Sequence, residues 1–123
     1  AFNGRFFEFF DWGTWGLFEA ALGVKPAEMA SAYGLGFQPL IPLVEVNAQF
    51  LAAVRFGEVM DMTSQIREFR RSSFEVEHRI SVGAELAVTG IEKRVWVIRD
   101  PADPSTIKAR PIPAEIIERF DVR

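Results

Sequence analysis

Hydrophobic and polar positions follow two different periods along the 123 residues, and the change falls near Phe37. Before it, the apolar positions recur with a helical period. Seven aromatic residues, Phe6, Phe7, Phe9, Phe10, Trp12, Trp15 and Phe18, spread nearly all the way round a wheel of about 100° per residue. They leave a narrow stripe holding Arg5, Glu8, Asp11 and Glu19 beside Trp12 and Trp15. This pattern predicts a helix over residues 5–22 that is so apolar that other elements must wrap it. Gly23 suits its C-terminal stop, and Pro26 suits the first position of a short helical turn in PAEMASAYG.

Beyond Phe37 the period is two. In LIPLVEVNAQFLAAV, Val44, Val46, Ala48 and Phe50 share one face while Glu45, Asn47 and Gln49 share the other. After a turn at Phe56-Gly57-Glu58, VMDMTSQIREFRR predicts a second strand. SFEVEHRISV predicts a third, with Phe74, Val76, His78, Ile80 and Val82 in one phase. Val82-Gly83-Ala84-Glu85 reads as a hairpin, and ELAVTGIEKRVWVIRD returns as a fourth strand. RDPADPST is a turn-rich loop, KARPI a short extended piece, and Pro113 opens a last helix, PAEIIERF. No internal repeat or linker interrupts the order.

One helix followed by four long strands predicts an α+β arrangement, with an antiparallel sheet curled about the helix. The sheet's far face is expected to carry some of the Met, Ile and Val positions, and its edges to leave backbone groups unpaired. Association through edges or faces would cover both, which predicts at least a dimer.

Composition narrows the chemistry. An apolar fraction of 49% supports one folded domain, and 14 basic against 17 acidic residues give a net charge of −3, which offers no broad field for nucleic acid. The absence of cysteine removes disulfides, thiolate nucleophiles and thiolate-bound zinc, and a single histidine removes any multi-histidine metal site. No cofactor and no metal is expected, so the chemistry falls to carboxylates and backbone amides. No apolar run reaches the ~18–20 residues of a membrane span, and no signal-peptide pattern is visible. The expectation is a cytoplasmic protein.

Three stretches together carry a resemblance: FNGRFFEFFDWGTWGLFEAALG at the start, PLVEVNAQFLAAVRFGEVMDMTSQIREFRRSSF in the middle and ARPIPAEIIERF at the end. They resemble the 4-hydroxybenzoyl-CoA thioesterase family of hotdog-fold proteins over nearly the whole chain. The resemblance implies a helix held in a curved sheet, pairing into homodimers and often homotetramers, and hydrolysis of acyl- or aroyl-coenzyme A. Residues 1–123 would then form a single hotdog domain. Members of that family carry a DxDPAG-like motif on the turn entering the helix, and its second aspartate is nucleophile or general base. The motif is not in this sequence; the alignment implied by the resemblance puts that aspartate a few residues before Ala1.

Other positions are matched residue by residue. The backbone amide near Asn3 corresponds to the helix N-terminus that receives the thioester oxygen, where free N–H groups suit developing negative charge. Asp11 and Trp15 would meet the acyl group, with Trp12 as a further candidate wall. Glu8 competes for a catalytic role, since another hotdog lineage uses a helix glutamate. Arg70, Arg71 and Ser72 would hold coenzyme A phosphates, guanidinium forks suiting phosphate oxygens; Lys108 and Arg110 could contribute. His78 reads as pointing into a sheet face or a subunit interface, as a hydrogen-bonded neutral imidazole. A hydratase is disfavoured, because no HFPGxP-like segment accompanies the histidine. A short-chain aliphatic thioesterase and a noncatalytic acyl-CoA-binding module remain as alternative functions.

Overall fold

The computed structural model describes residues 4–35, 38–53, 57–99, 102, 103 and 105–120. Helix α1 spans Gly4–Leu22. It buries one row spaced four residues apart, Phe10, Thr14, Phe18 and Leu22, which in a helix lie one above another on a single face. Gly23 ends it with a φ of 72° and returns its N–H to the Glu19 carbonyl at 2.9 Å, a left-handed stop that an L side chain would resist. The Tyr33 hydroxyl donates to the Leu22 carbonyl at 2.7 Å, satisfying an acceptor that the helix end leaves open. A 3-10 turn at Pro26–Glu28 leads into the single-turn helix α2, Met29–Ala32.

The strands are β1 (Leu43–Phe50), β2 (Met60–Phe69), β3 (Ser73–Val82) and β4 (Glu85–Val95), in the antiparallel order β1-β4-β3-β2. Gly83 and Ala84 turn β3 into β4, with Gly83 at a φ of 59°. The fourth strand read from the sequence is interrupted: β4 ends at Val95, and after Trp96 the chain enters β5 (Val97–Arg99), which pairs with β6 (Ile107–Ala109) in a separate two-stranded sheet. At the break Trp96 is fully buried, and its backbone N–H and C=O bond outside β4, to Ser72 and Arg110. Helix α3, Ala114–Arg119, closes the chain.

Alternation within the strands sorts the side chains. Phe74, Val76, His78 and Ile80 of β3 turn toward α1 as the period-two pattern predicts. The expectation of a partly apolar far face holds only in small part: Ile91 lies there with Glu45, Asn47, Glu75 and Lys93, but the β2 residues Met60, Met62 and Ile66 lie on the helix side, packed against the core, and the far face otherwise shows Asp61, Thr63, Gln65, Glu77 and Arg79. A single sheet with one solvated face has this pattern. The exposed apolar residues instead cluster on edge strand β1 and just past it, at Leu43, Val44, Phe50 and Leu51, and on the outer side of α1, at Phe7 and Trp12.

Two apolar clusters hold α1 to the sheet. One gathers Phe18, Leu22, Phe74, Val76 and Trp96 with Ile112 and Ile116; the other gathers Phe10, Ile80, Ala87 and Val88. Each fully buried aromatic or branched side chain contributes on the order of 1.5–3 kcal/mol by leaving water. Thr14 on α1 and His78 on β3 stand between the clusters, so the middle of the helix–sheet interface is polar.

Candidate functional site

Two glycines shape that polar centre. At Gly90 a Cβ would come within 2.5 Å of the Phe10 ring, so only glycine lets the ring lie against β4. Phe10 then stacks on His78 with centroids 4.7 Å apart and planes 4° apart. At Gly13 a Cβ would collide with the Ser64 hydroxyl and approach His78 Nδ1 to 3.1 Å. Close approach of helix to sheet at these two points brings polar groups from four elements together.

Glu92 is the hub. Its Oε1 accepts from the Thr14 hydroxyl at 2.7 Å and lies 2.7 Å from His78 Nε2, while the Arg94 Nη2–H donates to Oε2 at 2.7 Å and Nε–H to Oε1 at 3.2 Å. Burial pushes the Glu92 carboxyl up, but the hydrogen bonds from His78, Arg94 and Thr14, with the charge of Arg94, outweigh it and hold the group down to about 2. A carboxylate so held can only accept, so His78 Nε2 carries its hydrogen toward Glu92. The other ring nitrogen, Nδ1, meets the Ser64 hydroxyl at 2.6 Å. Arg94 also donates from Nη1 to the Ile41 carbonyl at 3.1 Å, and its Nη2 reaches Asp11 Oδ1 at 3.0 Å.

Asp11 is where this chain of contacts opens outward. Arg94 is 4% exposed, whereas the Asp11 side chain is 50% exposed and lines an open groove of about 900 Å³. Phe7, Trp12 and Trp15 of α1 wall the groove on one side, and Leu40, Ile41 and Leu43 on the other. The lining is mostly apolar, its charged members being Glu8, Asp11, Arg94 and Arg99, and Glu8 lies one turn from Asp11 along α1. Four of the residues singled out from sequence, Glu8, Asp11, Trp12 and Trp15, thus come together along the same cavity.

The basic candidates are distributed differently. Arg70 lies 3.2 Å from Glu68 and 3.6 Å from Glu75, so its charge is already shared between two carboxylates. Arg71 is exposed, and its carbonyl accepts the Ile112 N–H at 2.7 Å; the Ser72 carbonyl accepts the Trp96 N–H at 2.8 Å, and the Trp96 carbonyl accepts the Arg110 N–H at 3.0 Å. The β2–β3 turn and the segment 108–112 therefore lie side by side. Lys108 is exposed on β6 next to Ile107, a groove residue. Asn3 lies outside the described residues. Among the described residues, no group of three or more His, Asp or Glu side chains could hold a metal ion, and no helix is long and apolar enough to cross a membrane.

Sequence reasoning missed Glu92, Arg94 and Thr14. A signal was present: counting back in twos from Trp96 places Arg94, Glu92, Gly90 and Val88 on one face. Thr14 could have been found from the four-residue spacing that links it to Phe10 and Phe18.

Comparisons with known proteins identify the family and the fold. The family model of the thioesterase-like superfamily matches residues 2–120. A gentisyl-coenzyme A thioesterase structure is 25% identical, with a TM-score of 0.72 over 94% of this chain and 82% of that one. The 4-hydroxybenzoyl-CoA thioesterase from Pseudomonas sp. strain CBS-3 is similar in fold, with a TM-score of 0.77 at 24% identity over 94% of this chain and 83% of its own. A mutant 4-hydroxybenzoyl-CoA thioesterase complexed with 4-hydroxybenzoyl-CoA gives 0.80 at 21% identity, over 96% and 84%. No curated protein sequence matches. The family match over almost all of the chain and the shared hotdog architecture make this protein a member of the thioesterase-like superfamily.

Proposed function

We propose that this protein hydrolyses an acyl-coenzyme A thioester to the free acid and coenzyme A, and that the acyl group is aromatic. The observation that carries the reading is the apolar groove along α1, with Trp15 on its wall and the Asp11–Arg94 pair at its floor. Such a lining suits a flat apolar ring with a polar end. The neighbours named for gentisyl-CoA and 4-hydroxybenzoyl-CoA act on aroyl thioesters of that shape.

In this reading the thioester carbonyl oxygen meets the N-terminal amides of α1 near Asn3, which stabilise the negative charge of the tetrahedral intermediate. An aspartate preceding Ala1 supplies the attack. It either bonds to the carbonyl carbon and expels the coenzyme A thiolate, the mixed anhydride then being hydrolysed, or it takes a proton from the attacking water; both routes end in carboxylic acid and thiol. Arg70, Arg71, Ser72 and Lys108 hold the coenzyme A phosphates at the rim where the β2–β3 turn meets segment 108–112. The chain works as a homodimer or homotetramer, which would cover the apolar edge of β1.

A second reading has one observation in its favour. Glu8 lines the groove itself and could act as base without any residue outside this chain. Thiol release from 4-hydroxybenzoyl-CoA, benzoyl-CoA and short aliphatic thioesters tests both readings in full-length protein. Turnover of the aroyl esters that survives Glu8→Gln supports the first reading; loss on Glu8→Gln supports the second. No thiol release from any ester contradicts hydrolysis and leaves an acyl-CoA-binding module. Joint replacement of Arg70 and Arg71 by Ala is expected to raise KM for CoA esters several-fold more than for pantetheine thioesters, which lack the nucleotide phosphates. Equal effects on both would remove the phosphate role.

A further inference from the structure

We infer that Arg94, Glu92 and His78 are positioning residues for acyl selection: they fix the Asp11 carboxylate so that the groove favours an acyl group whose far end donates a hydrogen bond. The inference rests on the reading that this groove receives the acyl group.

Burying ionised groups is costly, and an apolar core of the same volume serves stability as well or better. Yet Glu92 is 1% exposed and Arg94 4% exposed in the middle of a helix–sheet interface whose two flanks are apolar. The arrangement has a direction. Ser64 meets His78, His78 meets Glu92, Glu92 clasps Arg94 through both its oxygens, and Arg94 reaches Asp11. His78 and Glu92 are enclosed, Arg94 borders the groove while 4% exposed, and the half-exposed Asp11 carboxylate opens to it.

The guanidinium has no freedom to follow its partner. Its Nε and Nη2 are committed to Glu92 and its Nη1 to the Ile41 carbonyl, so its plane is set by groups other than Asp11. Asp11 in turn is held at Oδ1, and its exposed oxygen has acceptor capacity toward the groove. A ring hydroxyl would donate to it. A bare ring would displace water from the carboxylate and return nothing.

The test uses full-length protein and two esters, 4-hydroxybenzoyl-CoA and benzoyl-CoA, read as a ratio of kcat/KM. Affinities for non-hydrolysable ketone analogues with and without the hydroxyl give the same ratio independently of turnover. Wild type is expected to favour the hydroxylated acyl group by roughly tenfold or more, since a hydrogen bond to a charged group is at stake. Asp11→Ala should abolish the preference. Glu92→Gln, which keeps shape, and Arg94→Lys, which keeps charge but not the fork, should each reduce it several-fold. A purely structural role would lower stability while leaving the ratio as in wild type. If either variant fails to fold, Thr14→Val, which takes one donor from Glu92, decides in its place. A ratio kept by Glu92→Gln and Arg94→Lys but lost in Asp11→Ala overturns the positioning role and leaves the groove reading standing. A wild-type ratio near one, by turnover and by analogue binding alike, overturns both.

Discussion

Around Phe18, α1 meets the sheet through Phe74, Val76 and Trp96, and the Trp96 Nε1 is the one buried side-chain polar atom there without a partner. One turn earlier, around Thr14, the same helix meets the same strands through a hydroxyl, an imidazole, a carboxylate and a guanidinium, each hydrogen-bonded. The contrast separates two jobs within a single interface. The apolar end gains its stability from area removed from water and tolerates no loss of volume. An apolar centre of the same volume could match the polar one in stability, but only the polar one places a held carboxylate in the groove.

The largest effect expected is at the apolar end. Phe18→Ala should lose about 3–5 kcal/mol, seen as a lower urea midpoint, with the same loss at acid and neutral pH because no titrating group is involved. The polar centre should behave in the opposite way. Glu92 is held from 4.5 down to about 2 in the folded protein, so the unfolded chain binds its proton more readily. Its contribution is therefore complete above about pH 4.5 and lost as pH falls toward about 2, a difference on the order of 3 kcal/mol. Glu92→Gln should flatten the acid limb of the stability curve; an acid limb unchanged in that variant would show that other carboxylates govern it.

Next in size comes Gly90→Ala. A methyl group driven toward the Phe10 ring should cost about 1–3 kcal/mol and disturb the stacking on His78, which one-dimensional or two-dimensional NMR of the imidazole would report. Thr14→Val is expected to have the smallest effect on stability, about 1 kcal/mol, since Glu92 keeps its bonds from His78 and Arg94. A larger loss from Thr14→Val than from Phe18→Ala would invert the comparison.

Much of the architecture is legible in the sequence because two periods with different lengths mark it. The four-residue recurrence of Phe10, Phe18 and Leu22 and the alternation from Phe74 to Ile80 define the helix and the third strand without reference to anything else. The break at Trp96 is not legible, because Val95 to Ile98 keep strand-forming side chains and the change of backbone partners, to Ser72 and Arg110, is made by segments remote in sequence. The polar centre escaped for a related reason: charged residues in a strand are ordinarily read as its wet face, and Glu92 and Arg94 are inward only because each supplies the other's partner. Asp11 and Trp15 were identified as acyl-group candidates, and they border the same groove; the Arg94 beneath Asp11 comes from a strand more than 80 residues away in sequence, a pairing no local pattern reveals.

The most direct test of the account is the structure of the full-length protein bound to the ketone analogue of 4-hydroxybenzoyl-CoA, in which a methylene prevents cleavage. The account predicts the ring lying beside Trp15 with its hydroxyl within hydrogen-bond distance of Asp11 and its carbonyl oxygen at the N-terminal turn of α1. A ring bound outside this groove, or one inside it with Asp11 turned away toward solvent, would contradict it.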